Sequence, residues 1–568
     1  MNDNKNLILA VLLSVLVLLG WTWASGKFFP TANPPSTKVE QGERVPAPPP
    51  TAQPSAPATP KATKSVPAAL ASAPRVSIRT PSLSGSINLK GAQIDDLLLV
   101  DQKQTIARNS PPVRLLSPLG APGAYIAQFG WTAQGAQAPT LDTVWTADSQ
   151  QLTPGHPVTL STQMADGARY QLRIAVDEGY LFTVRQSVLN ASGKPLTVRP
   201  MGLLSRADQS HDPDSWTNHV GPISVFGGEA DYDINYKTLD KEGDQAFPSV
   251  SGWLGFTDKY WLTALAPEKS IAANFRKSPN GGYQADYALA PAVVGPGQAL
   301  TTETRLFAGA KEKEWLDRYE EAGIPKLSKS IDWGWFEFFM RPIFDVLMFL
   351  FHTLGNFGLA IIALTFIVRG IMFPIAQKQF QSMAAMRKLQ PKMKAVQERF
   401  KDDKQRQQQE ILKLYQTEKV NPAAGCLPIV LQIPVFYALY KVLLVSVEMR
   451  HQPFVLWIKD LSAPDPLTPV NLFGLLNFTP PAMLAIGVLP ILVGATQWLS
   501  MKLNPQPMDP AQAQIFAIMP WFLVFIMAPF AAGLQLYWMT NNILTIAQQW
   551  WLYRKFGLHF SDTHPVET

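Results

Sequence analysis

Five long apolar segments in the second half of the chain constrain its fold more than any other feature. They lie at residues 347–374, 424–445, 482–500, 515–531 and 534–552. Segments of this length and composition fit the interior of a bilayer, and a water-soluble core does not require so many of them. A sixth apolar run, at residues 7–24, makes a polytopic α-helical membrane protein with six spans the predicted fold class.

The first part of the chain is predicted to be a membrane anchor followed by a tether. Residues 1–29 contain the first apolar run, and they fit an anchor or a cleaved signal peptide. The anchor is favoured, because no clean A-x-A cleavage site follows the run. Residues 30–74 hold twelve prolines, a composition that favours extended, polyproline-like chain and cannot bury a core.

Residues 75–325 are predicted to form a large all-β sandwich domain. Short stretches of alternating character recur, among them RVSIR at 75–79, YQLRIA at 170–175 and YLFTV at 180–184. Turns rich in Gly, Pro, Asn and Asp separate these stretches. Residues 311–322 are predicted to close the domain with a helix.

The rest of the chain is predicted to divide at its prolines and charged residues. Residues 326–345 are expected to form an amphipathic helix at the membrane interface, because Pro342 would interrupt one continuous helix. The alternative is that this stretch simply begins the next span. The other predicted parts are a second span at 346–374, a cytoplasmic helical hairpin at 375–420, spans three to six at 421–555 and a short cytoplasmic tail at 556–568.

Basic residues in the loops predict the orientation of these spans. Residues 375–420 contain eleven lysines and arginines, whereas residues 446–481 contain two. The first loop is therefore predicted to be cytoplasmic and the second to lie outside. Six spans then place both termini in the cytoplasm and the β domain on the outer side.

Several functional classes lose support from what the sequence lacks. The net charge of +6 does not indicate a nucleic-acid ligand, and the single cysteine, Cys426, excludes an intrachain disulfide and a cysteine-based zinc site. No GxxxxGK[ST], HExxH or GxSxG motif occurs, which argues against an ATPase, a zinc protease and a serine hydrolase. No metal or cofactor is predicted. The Asp and His residues between positions 208 and 219 match no known spacing of metal ligands; they are Asp208, His211, Asp212, Asp214 and His219.

Arg369 is the residue that points most directly to a function. It lies in an apolar segment five residues before Pro374, and Thr365 precedes it by one helical turn on the same face. A charged side chain is costly in lipid, so this arginine either snorkels to the interface or faces a hydrated cavity. The spans offer it no obvious acidic partner.

Polar residues in two other segments favour the cavity. Tyr537, Asn541, Thr545 and Gln548 form a stripe at helical spacing, and Gln432 adds an amide to another span. Polar groups in spans rarely face lipid, because hydrocarbon cannot satisfy their hydrogen bonds. An unpaired cation among amides predicts a cavity for a ligand that carries negative charge.

The cytoplasmic hairpin is a candidate docking surface. Methionines and other apolar residues recur at three- and four-residue spacing, and an aspartate after Lys401 can cap a second helix. Methionine suits adaptable contacts with an apolar or acidic partner, although an ordinary hairpin core with a solvated charged face also fits. The candidate docking residues are Met383, Met386, Arg387, Lys388, Met393 and Lys394.

The whole chain resembles the YidC membrane protein insertase family of Gram-negative bacteria. The resemblance is specific over residues 331–555, and the order of the parts matches throughout. The matching stretches are FIVRGIM at 366–372, MRKLQP at 386–391, DDKQR at 402–406, KVNPAAGC at 419–426, FVLW at 454–457 and GLQLY at 533–537.

This resemblance implies an insertase and chaperone rather than an enzyme. Family members insert membrane proteins, alone or with the Sec translocon, through a positively charged groove that is open to cytoplasm and lipid and closed outside. Arg369 and Thr365 match groove residues, and Tyr537 and Trp538 fall where the family contacts substrate. Trp538 departs from the family's usual tyrosine and loses its hydroxyl. With Gln432 and Asn541, these residues form the predicted substrate groove.

The resemblance also implies a location and partners. It predicts a five-helix insertase core in the bacterial inner membrane and a periplasmic supersandwich domain without sugar chemistry. The implied partners are nascent membrane proteins, the lipid bilayer, the Sec translocon with its accessory subunits, the ribosome and the signal-recognition machinery. The tail after Tyr553 is short and weakly basic, which argues against ribosome contacts through it.

Two other classes of function fit parts of the sequence. A secondary transporter or channel for small anions would also use an intramembrane arginine, but the internal repeats that would favour it are not found. A membrane-tethered carbohydrate enzyme would work through the β domain alone.

Overall fold

The computed structural model divides into two compact units, Met1–Asp332 and Trp333–Thr568. The predicted anchor run at 7–24 and the predicted tail at 556–568 lie outside the described residues. The structure describes residues 37–40, 43–46, 63–134, 137–212, 214, 218–278, 281–334, 336–401, 403–418, 427–473, 475, 476, 485–503 and 510–555.

The first unit is built mainly of strands, numbered here along the chain. The strands are β1 (Thr37–Glu40), β2 (Glu43–Pro46), β3 (Arg75–Arg79), β4 (Leu83–Asn88), β5 (Gln93–Lys103), β6 (Pro112–Leu116), β7 (Tyr125–Gln134), β8 (Thr146–Ala147), β9 (Gln151–Leu152), β10 (Val158–Gln163), β11 (Ala168–Val176), β12 (Leu181–Asn190), β13 (Leu196–Arg206), β14 (Gly221–Phe226), β15 (Glu229–Asp231), β16 (Gln245–Val250), β17 (Gly252–Thr257), β18 (Trp261–Pro267), β19 (Ile271–Lys277), β20 (Tyr283–Leu289), β21 (Ala292–Val294) and β22 (Ala299–Ala310). Its helices are α1 (Val66–Leu70), α2 (Tyr236–Glu242) and α3 (Lys313–Glu321), with a 3₁₀ turn at Leu327–Ser330.

Two large sheets form the body of this unit. A nine-stranded sheet has the order β15-β14-β17-β18-β22-β12-β11-β10-β8. The path of the second sheet is β16-β19-β20-β13-β7-β5-β4-β3-β9, with β21 on β13 and β6 on β5. The alternating sequence explains the strands, because in β11 every second residue from Ala168 to Ile174 is buried and the residues between them are not.

The sheets face each other across a shared core. The Gln186 side chain of β12 donates to the Gly130 carbonyl of β7 at 2.7 Å, and Tyr287 of β20 hydrogen-bonds to Thr304 of β22 at 2.6 Å. Buried polar groups in a core require partners of this kind. The predicted β sandwich is confirmed, as are its predicted strands and its closing helix, α3.

Part of the predicted tether has regular structure. Strands β1 and β2 form an antiparallel pair, and α1 also falls before residue 75. The backbone N–H groups of Thr63 and Lys64 donate to the Gly120 carbonyl at 3.0 Å. The β unit therefore begins earlier than the change in composition indicates, because these contacts are made by the backbone.

The second unit is helical. Its helices are α4 (Glu337–Leu354), α5 (Phe357–Arg399), α6 (Lys404–Thr417), α7 (Leu427–Val445), α8 (Val488–Lys502), α9 (Pro510–Met527) and α10 (Ala532–Lys555), with a 3₁₀ turn at Pro469–Asn471. Within the described residues, Phe357–Lys378 is long and apolar enough to cross a membrane, and two shorter apolar helices cover Gln432–Val445 and Phe516–Met527. The count of six spans stays a prediction.

The break between the first two helices of this unit differs from the prediction. Helix α4 continues through Pro342, so the predicted interruption there is wrong. The chain breaks at Gly355, whose φ of 67° suits a residue without Cβ. Asn356 then caps α5, its side chain accepting the Leu359 N–H at 3.0 Å. Pro342 is the sixth residue of α4 and lacks the N–H that would bond to the Phe338 carbonyl, so the helix runs through it with the loss of one backbone hydrogen bond.

Helix α5 runs without a break from the predicted second span into the predicted hairpin, through Pro374 and Pro391. The predicted boundary at residue 374 is therefore not a helix end. Asp403 caps α6, its carboxylate accepting the Arg406 N–H at 3.0 Å, which confirms the predicted capping aspartate.

Candidate functional site

Arg369 of α5 is bound to the side of α10. Its Nε donates to the side-chain oxygen of Asn541 at 2.8 Å, and a terminal nitrogen donates to the Asn541 carbonyl at 3.2 Å. The hydroxyl of Thr545 accepts a further bond from the same nitrogen. Asn541 and Thr545 are one helical turn apart and share a face. The guanidinium thus bridges two helices that are far apart in sequence.

The partners of Arg369 are all uncharged. In the part of the chain that the structure describes, no carboxylate forms an ion pair with this half-buried side chain. Amide, carbonyl and hydroxyl oxygens satisfy guanidinium donors and leave the charge uncompensated. An anion that approached this point would meet a fixed, unpaired cation.

A second polar contact lies one turn before Asn541 on α10. Gln432 of α7 donates through its side-chain amide to the hydroxyl of Tyr537 at 2.7 Å. Tyr537 is almost fully buried, so this bond also joins two helices away from solvent. Further along the same stripe, the side-chain nitrogen of Gln548 is buried without a hydrogen-bond partner among the described residues.

Among the described residues, Thr365 forms no hydrogen bond with this cluster. It is fully buried, and its hydroxyl donates to the Ile361 carbonyl of its own helix at 2.7 Å. Such a bond satisfies a hydroxyl within an apolar helix without any ligand. Its predicted place in a groove stays a prediction.

Trp538 contacts α7, as Tyr537 does, and it also reaches α8. Its ring meets Phe436 of α7 edge to face, with centroids 4.7 Å apart, and its N–H donates to the Gln497 side chain of α8 at 3.4 Å. Asn542 also reaches α8, donating to the Thr496 hydroxyl at 3.2 Å. The sequence reasoning missed Thr496 and Gln497, although adjacent polar residues inside an apolar segment were a usable signal.

Hydrogen bonds join the loop between α7 and α8 to the starts of α5 and α8. Asn356, before α5, donates to the Phe454 carbonyl at 3.3 Å. The indole of Trp457 donates to the Asp465 carboxylate at 2.9 Å, and the Leu489 N–H at the start of α8 donates to the same carboxylate at 2.7 Å. Two residues of the FVLW stretch, Phe454 and Trp457, therefore take part in the hydrogen bonds of this loop.

The hairpin is described in part. The side chains of Met383, Met386, Arg387 and Lys388 lie outside the described residues. Met393 is 6% exposed, so it packs within the hairpin rather than on its surface, whereas Lys394 is exposed. The docking surface stays a prediction, and Met393 does not contribute to it in this conformation.

Two of the Asp and His residues between positions 208 and 219 form hydrogen bonds within the β unit. His219 is buried and its Nε2 donates to the Pro222 carbonyl at 2.7 Å, while the Asp212 carboxylate accepts the Lys259 N–H at 2.9 Å. No cluster of three or more His, Cys, Asp and Glu side chains in the described residues could hold a metal ion.

Comparisons with known proteins cover nearly the whole chain. Two family models match it: the 60Kd inner membrane protein over residues 349–558 and the YidC periplasmic domain over residues 75–346. A Zymomonas mobilis protein named membrane protein insertase YidC is 47% identical over 557 residues, 97% of this chain and 95% of that protein. A Methylorubrum extorquens protein of the same name is 42% identical over 591 aligned positions, 98% of this chain and 96% of that protein.

Solved structures give weaker likenesses. A crystal structure of an active YidC insertase with its first transmembrane domain resolved is 18% identical, with a TM-score of 0.36 over 84% of this chain and 92% of that chain. A galactose mutarotase-like protein from Lactobacillus casei is 11% identical, with a TM-score of 0.28 over 41% of this chain and 99% of that chain.

Proposed function

The chain belongs to the YidC family of membrane protein insertases, and from this premise we propose that it inserts its substrates along a polar surface centred on Arg369. The observation that carries the proposal is the guanidinium of Arg369, which is bound only by neutral groups of α10 among the described residues. In this proposal, the cation and its polar neighbours lower the barrier to insertion.

The barrier arises from the polar part of a substrate. A hydrophobic segment gains free energy on entering lipid, but its polar flank must cross an apolar layer of about 30 Å. A carboxylate at the centre of a span costs about 2.5–3.5 kcal/mol on insertion scales. A polar surface that reaches part of the way into the membrane shortens the apolar path.

Arg369 supplies an attraction of the required size. At an effective dielectric constant of about 20 and a separation of about 4 Å, two opposite charges attract by about 4 kcal/mol. An acidic flank beside the guanidinium would therefore recover the cost of one carboxylate. Asn541 and Thr545 fix the cation in place, which avoids the entropy of ordering a free arginine side chain.

The remaining polar residues extend the surface away from the cation. The bond between Gln432 and Tyr537 offers an amide and a phenol one turn from Asn541. Gln548 has a buried amide nitrogen without a partner in the described residues, and a substrate carbonyl or a water would satisfy it. We propose that a substrate's polar flank follows this stripe while its apolar segment moves into lipid.

The partners and the topology belong to the same proposal. The substrates would be nascent membrane proteins in the lipid bilayer of the inner membrane, with both termini of this chain cytoplasmic and the β unit periplasmic. The Sec translocon with its accessory subunits, the ribosome and the signal-recognition machinery are proposed partners on the family resemblance alone.

The test is insertion by proteoliposomes that contain the full chain. We expect Arg369→Ala to lower the insertion of a small single-span substrate with an acidic tail by roughly tenfold, a change of about 1.4 kcal/mol in the barrier. Arg369→Lys should retain part of the activity, because it keeps the charge but not the planar set of donors. Protease protection of the tail measures insertion.

The matched control is Lys378→Ala, which removes an exposed charge from the same helix outside the cluster and should leave insertion unchanged. A substrate with a neutralised tail should depend less on Arg369. Equal insertion of the acidic tail by Arg369→Ala and the unaltered chain would contradict the proposal. Chloride or phosphate flux through the same vesicles would instead favour the transporter or channel.

A further inference from the structure

The solvent face of the nine-stranded sheet carries two arginines directly opposite each other. In the pairing of β11 with β12, Arg173 faces Arg185, and the residues that alternate with them along each strand are buried. Side chains opposite each other in an antiparallel pair start about 5 Å apart, and like charges there are destabilising. This pairing of like charges therefore lowers the stability of the protein when no ligand is bound.

One of the two arginines is compensated and the other is not. Arg185 forms an ion pair with Glu303 of β22 at 2.5 Å. Arg173 has no carboxylate beside it in the register, because its neighbours across the strands are Thr159 and Arg185. Within the described part of the chain Arg173 forms no hydrogen bond or ion pair, so its five N–H donors face solvent.

The surroundings of this pair are rich in neutral donors. Ser161, Gln171 and Ser187 share the face with the arginines, and together they line a depression of about 450 Å³. The one acidic side chain that lines it is Asp148, whose carboxylate accepts the Thr159 N–H at 2.8 Å. These side chains place O–H and N–H donors beside the two guanidinium groups, and the volume exceeds that of a bare tetrahedral anion.

We propose that this face, built on Arg173 and Arg185, binds the phosphate group of a phosphorylated small molecule or of a lipid headgroup. A tetrahedral oxyanion presents oxygens to both guanidinium groups at once and relieves their repulsion. The neutral hydroxyl and amide groups around the pair would receive the organic part of the ligand. This site is separate from the proposed insertion surface and does not depend on it.

The test is titration of the full chain in a neutral detergent with inorganic phosphate at constant ionic strength. We expect saturable heat of binding, and Arg173→Ala should weaken the affinity by about tenfold, the size of one charged hydrogen-bonded contact. Asp148→Asn should strengthen it, because a negative charge is removed from the rim. Arg79→Ala is the matched control, since it removes an exposed strand arginine from the other sheet.

Two further ligands distinguish a lipid headgroup from a phosphorylated small molecule as the natural ligand. Glycerol 3-phosphate and dihexanoylphosphatidylglycerol, the latter kept below its micelle concentration, would each compete with inorganic phosphate. Tighter binding of the lipid indicates a headgroup, and equal binding indicates a soluble ligand.

The proposal is overturned if phosphate does not bind saturably, or if Arg173→Ala binds it as well as the unaltered chain does. Binding of an acidic peptide without binding of any phosphate compound would also overturn it. Thermal unfolding shows that each variant is folded, and phosphate should raise the midpoint of the unaltered chain more than that of Arg173→Ala.

Discussion

Asp465 is a buried carboxylate that joins three parts of the helical unit. It accepts hydrogen bonds from the Trp457 indole, from the Leu467 N–H at 3.0 Å and from the Leu489 N–H. Gly487, at the N-cap of α8, has no side chain to cap the helix. Asp465 therefore acts as a cap supplied from a distant loop, and its charge is favourable near a helix N-terminus.

We expect Asp465→Ala to lower the stability of the helical unit by about 1–3 kcal/mol, because one buried and two partly buried N–H groups lose their acceptor. Asp465→Asn keeps one carbonyl oxygen and should lose less. Thermal unfolding of the full chain in detergent, followed by tryptophan fluorescence, measures both. An alanine variant as stable as the unaltered chain would show that the cap is dispensable.

His219 makes the stability of the β unit depend on pH. The side chain is buried, and burial lowers the pKa of the imidazole below its ordinary value of 6.5. The bond from Nε2 to the Pro222 carbonyl and the nearby charge of Asp214, 3.9 Å from Nδ1, oppose this shift without cancelling it. The other charged groups that act on the ring are Asp332 and Lys311.

Below pH 6.5 the unfolded chain binds a proton that the folded chain does not. Stability should therefore fall as the pH drops from 6.5 toward the lowered folded pKa, with a slope of up to about 1.4 kcal/mol per pH unit for one proton. We expect His219→Gln to reduce this slope in thermal unfolding between pH 7.5 and about pH 5. The exposed His156 provides the control, and His156→Gln should leave the slope unchanged.

At the scale of elements, local patterns and long-range contacts differ in how far the sequence predicts them. The strands follow from alternation and the α6 cap from an aspartate after Lys401, because both are local effects. The polar stripe on α10 follows from its period. That Asn541 and Thr545 would bind Arg369 could not be predicted, since the packing of α5 against α10 brings together residues far apart in sequence.

The helix break was misplaced for a related reason. Pro342 is a strong local signal, but α4 continues through it with the loss of one backbone hydrogen bond. Gly355 and Asn356 provide a stop and a cap, and the sequence reasoning gave them no weight. A proline therefore predicts a break only in combination with a capping residue.

Gly358 lies where α5 closely approaches the loop between α7 and α8. A Cβ atom at this position would lie 2.1 Å from the Phe454 ring, which is far inside van der Waals contact. We expect Gly358→Ala to destabilise the helical unit by about 1–3 kcal/mol through overpacking. Thermal unfolding in detergent gives the value, and Phe454→Leu in the same chain should restore part of the loss.

The control for this prediction lies on the same helix. Among the described residues, no atom lies within 4 Å of the point that a Cβ at Gly370 would occupy. Gly370→Ala should therefore be neutral or stabilising by up to about 1 kcal/mol. Equal destabilisation by both substitutions would show that the loss at Gly358 does not arise from its contact with Phe454.

At the scale of the whole molecule, the chain consists of two units with separate cores. The β unit buries its own aromatic side chains, among them Trp253 and Tyr287, and the helical unit buries Phe357 and Tyr537. Each unit therefore has the apolar core that independent folding requires. The sequence predicted this division because alternating strands and apolar segments have different periods.

The last prediction follows from where the polar contacts lie. Arg369, Gln432, Tyr537, Asn541 and Thr545 all belong to the helical unit, so removal of residues 75–325 should leave the insertion of a small single-span substrate close to that of the full chain. Protease protection in proteoliposomes measures this insertion.

The control for the deletion is the same shortened chain with Arg369→Ala, which should lose insertion as the full-length variant does. If the shortened chain is folded in detergent and inserts nothing, the β unit takes part in the essential step. The surface around Arg369 would then be insufficient, and a carbohydrate or binding activity of the β unit would become the function to test. Retained insertion in the shortened chain would instead assign the whole step to the helical unit, which contains Arg369 and its hydrogen-bond partners among the described residues.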